Sequence, residues 1–133
     1  MHTQPSIPVH VVHLLPLLDQ QLIQLLQSLT VAEWQQQTIA RLWTVKDVAA
    51  HLLDGNIRML SMLRDDYRTE KPPGDSYEDL VHFINGLNAT WVAAMKRVSP
   101  ALLIHLHKAT GPLFCDYYSA LGEIALTIIA VMA

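Results

Sequence analysis

Apolar residues recur at spacings of three and four along most of the chain, with polar residues between them. This period is typical of helices that bury one face and expose the other. Proline, glycine and capping residues interrupt the pattern at several points. The sequence therefore predicts an all-α chain with four helices, over about residues 16–29, 44–66, 76–98 and 100–121.

Three capping signals occur along the chain: two begin the predicted helices at 44–66 and 76–98, and one begins a short turn after the first helix. A capping box pairs a Ser or Thr before the helix with an acidic residue three positions later, so that each side chain bonds the other residue's backbone N–H. This signal fixes where a helix begins without reference to the rest of the fold. Three pairs have the spacing: Thr30 with Glu33, Thr44 with Asp47, and Ser76 with Asp79.

The end of the chain is harder to interpret. Gly111 and Pro112 are expected to kink or break the fourth helix, because proline lacks the N–H of a helical hydrogen bond. Residues 122–133 form an apolar tail that is either strand-like or a continued helix, since periodicity does not separate the two. All 133 residues are assigned to one domain.

A helical wheel of the second predicted helix separates an apolar face from a charged one and places His51 at their boundary. We expect the apolar face to pack into the bundle. The first face holds Val48, Leu52, Gly55, Asn56, Met59, Met62 and Leu63; the second holds Asp47, Asp54, Arg58, Ser61 and Asp65.

Composition narrows the possible functions. Hydrophobic residues make up 51% of the chain and charged residues 16%, a high apolar share for 133 residues, which favours burial against a partner. The net charge is −3 and no basic patch stands out, so we expect no nucleic-acid partner. A single cysteine and the lack of a signal-peptide pattern favour the cytoplasm. No apolar run reaches the roughly 20 residues of a membrane span.

His51 is the leading candidate for chemistry. Neutral imidazole is a common ligand for zinc and nickel, and helical bundles build metal sites from side chains on facing helices. A half-buried histidine with an ordinary hydrogen bond is the competing interpretation, because a catalytic zinc requires three protein ligands. Cys115 is interpreted as a buried, inert thiol, since no His or Lys is evidently paired with it.

Two stretches resemble the DinB/YfiT-like superfamily: "LTVAEW" at 29–34 and "LWTVKDVAAHLLDGNIRMLSMLRD" at 42–65. The nearest branch is the N-terminal domain of mycothiol-dependent maleylpyruvate isomerase. The resemblance implies a four-helix bundle and a divalent metal, zinc or nickel, held by three residues. His51 lies at the family's first metal-ligand position. The resemblance also implies a low-molecular-weight thiol cofactor such as mycothiol or bacillithiol. It further implies transferase or isomerase activity on a small molecule that the sequence does not identify.

The chain departs from this family after the fourth predicted helix. It has no His-x-x-x-His motif, and the i,i+2 spacing of His105 and His107 directs their rings to different faces of a helix. The sequence therefore resembles a C-terminally truncated member with an incomplete metal site. We expect self-association, most simply as a dimer, to supply the missing packing. Two functions stay open: a metal-dependent thiol transferase or isomerase, and a non-catalytic self-association module.

Overall fold

A computed structural model describes residues 11–121, and the predicted tail at 122–133 lies outside the described residues. Within them the fold is all-α, as predicted, with one isolated bridge between Gln37 and Thr44. A single 3₁₀ turn, Val12–Leu14, precedes the helices. These are α1 (Leu15–Ser28), α2 (Val31–Trp34), α3 (Val45–Met59, continued by a π-helical turn, Leu60–Arg64), α4 (Tyr77–Met95) and α5 (Pro100–Leu121).

α3 is the central helix of the bundle. α4 and α5 both pack against it, and α1 packs against α5. Two consecutive carbonyls of α3 accept side-chain hydrogen bonds from these neighbours: His107 Nε2 lies 2.8 Å from the oxygen of Ala49, and Trp91 Nε1 donates to that of Ala50 at 2.7 Å. These bonds fix the rotation of α3 about its own axis, and hence the direction in which His51 projects.

The buried face of α3 differs from the predicted one. The fully buried residues include Ala49, Ala50 and Leu53, whereas Leu52, assigned to the apolar face, is 44% exposed. The helical wheel gave the wrong face because the buried face was chosen by its large apolar side chains, as if α3 packed against a single helix. α3 has two helices beside it, and its alanines let both approach closely. Asp54, placed on the charged face of the wheel, is also buried.

Two of the three predicted capping boxes are complete. Thr44 and Asp47 exchange both bonds, at 3.0 and 3.3 Å. Thr30 and Glu33 also exchange both bonds. Before α4 the Ser76 hydroxyl accepts from the Asp79 backbone N–H, but the Asp79 carboxylate does not return the bond. That carboxylate instead lies so close to the preceding turn that a Cβ on Gly74 would overlap it.

Of the kink or break expected at Gly111 and Pro112, the break does not occur, because α5 continues through both residues to Leu121. Pro112 is exposed, so its ring and the unpaired carbonyl a turn earlier meet solvent rather than the core. The residues around it hold the helix in place. Gly111 lies tightly against α1, and Cys115 and Tyr118 are buried beyond it.

Candidate functional site around His51

His51 lies two turns into α3 and is half-buried. The Trp43 ring, from the connection before α3, packs on its imidazole with ring centroids 5.0 Å apart and an interplanar angle of 41°. The Nδ1 atom of His51 is buried and has no hydrogen-bond partner among residues 11–121. An ordinary structural histidine would be expected to satisfy that atom. The described structure therefore gives His51 no evident hydrogen-bonding role.

An ion pair lies one turn beyond His51 on the same helix. Arg58 Nε is 3.1 Å from Asp54 Oδ2, a distance that allows ion pairing although the two atoms are not aligned for a hydrogen bond. The guanidinium also donates from Nη2 to Asn88 Oδ1 of α4 at 2.9 Å. The pair thus links α3 to α4 beside His51 and places a cation and a carboxylate next to the imidazole.

These neighbours set the protonation of the site. Burial lowers the pKa of His51, the charge of Arg58 lowers it further, and Asp54 opposes both. Burial raises the pKa of Asp54, against the opposing effects of Arg58 and His51. Since the ordinary pKa of histidine is about 6.5, His51 is neutral at pH 7. A neutral imidazole has the lone pair that a metal ion or a proton donor requires.

Asp54 and Arg58 also line an open groove of about 730 Å³ between α3 and α4. Its other polar lining residues include His82 of α4 and Glu70 of the α3–α4 connection. A second groove, of about 600 Å³, lies between the 40–43 connection and α4. Trp43 and Asn88 line this second groove, whereas His51 itself is not a lining residue of either groove.

The resemblance implies three metal ligands, and the described residues offer a candidate for one of them, His51. His51 has the burial, neutrality and unsatisfied nitrogen that suit one ligand. Within residues 11–121, however, no three His, Cys, Asp or Glu side chains are arranged to hold a metal ion. His105 is exposed on α5, and the Nε2 atom of His107 is occupied by the backbone of α3. The described residues alone do not form a complete metal site.

Comparison with known protein families assigns the chain to one of them. The family model described as mycothiol maleylpyruvate isomerase N-terminal domain matches residues 15–123. The chain belongs to this family. The resemblance to the DinB/YfiT-like superfamily is thereby confirmed. No curated protein and no solved structure matches the chain.

Other candidate residues of this isomerase-family domain have structural roles. Cys115 is buried, as predicted, and burial raises the pKa of its thiol, which disfavours the reactive thiolate. Asp65 and Asp66 are exposed beyond the π-helical turn and pair with nearby arginines. No helix within residues 11–121 is both long enough and apolar enough to cross a bilayer.

Sequence reasoning missed the polar residues that α3 and its neighbours enclose. Asp54 and Arg58 were placed on the charged face of the wheel with no role in a site, and His107 was considered only as a metal ligand. His107 lies on the row formed by Leu103, Gly111 and Cys115, all spaced by four and all buried. That spacing was visible in the sequence and predicts an inward histidine. The partner of its Nε2 atom is the Ala49 carbonyl of α3, a contact between helices that periodicity does not specify.

Proposed function

We propose that this domain takes part in isomerase or transferase chemistry that uses a low-molecular-weight thiol and a divalent metal, zinc or nickel. His51 would be one metal ligand. The other ligands would come from residues outside 11–121 or from a second copy of the chain. The observation that carries this proposal is the half-buried His51 of a family member, whose Nδ1 has no partner within the described residues.

The chain's own groups suit a small polar substrate. The lowered pKa of His51 keeps it unprotonated at neutral pH, so it does not repel a cation. The Arg58 side chain is 25% exposed at the edge of the groove, where its guanidinium suits a carboxylate group. Asp54, through its ion pair, holds that guanidinium in place. The groove at about 730 Å³ is in the range of small-molecule sites.

Elemental analysis of the full chain, purified without a histidine tag, tests the metal. We expect stoichiometric zinc or nickel at pH 7.5 in the wild type and loss of most of it in His51→Ala. His105→Ala removes an exposed histidine from α5 and is the matched control, which should retain the metal. Absence of metal after incubation with either ion, or equal loss in both variants, would contradict the proposal.

A specific observation favours the second candidate, a helical self-association module. Leu14, at the end of the 3₁₀ turn that leads into α1, is 39% exposed, and Leu17 and Leu25 of α1 are 50% and 57% exposed. Their spacing places them on one side of the helix, while Leu22 and Leu26 pack into the core. A contiguous exposed apolar patch is typical of an interface. We propose that α1 pairs with α1 of a second copy, giving a dimer.

Sedimentation velocity distinguishes this candidate. At micromolar concentration we expect the wild type to be a dimer and the double variant Leu17→Glu/Leu25→Glu to be a folded monomer. The matched control, Gln20→Glu/Gln27→Glu, adds the same charge at exposed polar positions of α1 and should stay dimeric. A well-folded monomeric wild type would refute self-association, whatever the outcome of the metal analysis.

A further inference from the structure

A separate cavity of about 170 Å³ lies where α1 and α5 meet the side of α3 that faces away from the Arg58 groove. Most of its wall is apolar, formed by side chains such as Leu15, Leu22 and Phe114. Its polar lining comes from three helices: Asp19 of α1, Asn56 of α3 and His107 of α5. The functions proposed above use none of these polar groups.

The hydrogen-bond network fixes the proton position on His107, which is 0% exposed. Its Nε2 atom lies 2.8 Å from the Ala49 carbonyl oxygen, which only accepts hydrogen bonds, so Nε2 carries the proton. Burial lowers the pKa of this histidine, and the ring is neutral at pH 7. Its Nδ1 atom is therefore a bare acceptor, buried and without a partner in the described part of the chain.

The orientation of Asn56 is fixed in the same way. The Thr110 hydroxyl donates to the Leu106 carbonyl at 2.8 Å, so its oxygen must accept the 3.2 Å bond that it shares with Asn56. Asn56 consequently points its amide nitrogen at Thr110. The atom that remains for the cavity is its Oδ1, which is a second acceptor.

Asp19 adds a third acceptor and the only charge among the described lining residues. Its carboxylate lies so close to α5 that a Cβ on Gly111 would overlap it. Burial raises the pKa of Asp19, and interaction with His107 opposes that effect. The polar wall thus offers acceptors from three helices and one negative charge. Of these acceptors, His107 Nδ1 is fully buried, and a buried acceptor is costly unless a donor meets it.

We propose that this cavity binds a small primary ammonium ion with an apolar body, of about the size of benzylammonium. The ammonium group has three N–H donors and a positive charge, which match Asn56 Oδ1, His107 Nδ1 and the Asp19 carboxylate. An apolar cavity of about 150 Å³ accommodates benzene, so a ring fits between Leu22 and Phe114.

Titration of the full chain with three probes of similar shape tests the proposal. Isothermal calorimetry at pH 7.5 would compare benzylamine, which is cationic there, with benzyl alcohol and toluene. We expect benzylamine to bind at least tenfold more tightly than either neutral probe. Similar affinities for all three, or no benzylamine binding at millimolar concentration, would overturn the proposal without any variant being needed.

Two further measurements assign the site. Asp19→Asn keeps the shape of the side chain and should weaken benzylamine binding at least tenfold, whereas Asp116→Asn, an exposed change on α5, should leave it unaltered. In the wild type, benzylamine should shift the ¹⁵N resonance of His107 Nδ1 and leave that of Nε2 nearly unchanged. An unshifted Nδ1, or equal weakening by both variants, would contradict this site. Neither result bears on metal binding at His51.

Discussion

The protonation of His107 gives the domain a predictable sensitivity to acid. The side chain is fully buried, and burial lowers its pKa, against the opposing effects of the Ala49 hydrogen bond and the Asp19 carboxylate. In the unfolded chain the same histidine takes up a proton near its ordinary pKa of about 6.5. Below that pH the unfolded state binds a proton that the folded state does not, so acid favours unfolding.

The size of the effect follows from proton linkage. One proton of difference changes the free energy of unfolding by about 1.4 kcal/mol per pH unit. The free energy of unfolding begins to fall as pH drops through about 6.5, and it continues to fall until pH reaches the lowered folded-state pKa of His107. Above about pH 6.5 both states hold the histidine neutral, and its ionisation contributes no pH dependence.

Urea denaturation followed by circular dichroism at pH 7.5, 6.5 and 5.5 measures this contribution. His107→Gln keeps an amide N–H for the Ala49 carbonyl but does not titrate. Below pH 6.5 we expect the free energy of unfolding of the wild type to fall by up to about 1.4 kcal/mol per pH unit more than that of this variant. His105→Gln, at an exposed position of the same helix, should follow the wild type. Parallel curves for the wild type and His107→Gln would refute the reasoning.

Three further changes test the packing around α3 by urea denaturation. Thr44→Ala removes half of the capping box and should lower the free energy of unfolding by about 1 kcal/mol; no change would show that the box does not stabilise α3. Gly86→Ala should raise it by about 0.5–1 kcal/mol, because no atom lies within 4 Å of the added Cβ, and a loss would indicate a hidden clash. Trp91→Phe deletes the donor to Ala50 and should lower it by about 1 kcal/mol or more, whereas an unchanged midpoint would mean that water replaces the bond.

Local signals predicted the helix starts well because a cap is a local interaction. Thr44 and Asp47 bond each other across three residues, so their effect is independent of what α3 packs against. The same locality explains the failure at Gly111 and Pro112. A proline weakens a helix locally, but α5 is held by contacts with α1 and α3 on both sides of that position.

The sequence predicted only part of the candidate site. The motif around His51 carried the resemblance to the family, and a wheel placed that residue at a boundary. The Asp54–Arg58 pair was present in the sequence at i,i+4 spacing, but its burial and its bond to Asn88 require α4 to lie beside α3. Side chains that meet across helices are separated by tens of residues in the chain, so no local pattern specifies them.

The sequence by itself therefore determined the helical class, most helix ends, the family and the position of His51, because spacing and capping are encoded within a few residues. Tertiary structure alone decided which side of α3 is buried, since small alanines rather than large apolar residues admit two neighbouring helices. It also decided the tautomer of His107 and the gathering of acceptors around one cavity. Those features depend on where the carbonyl of Ala49 and the carboxylate of Asp19 lie relative to α5.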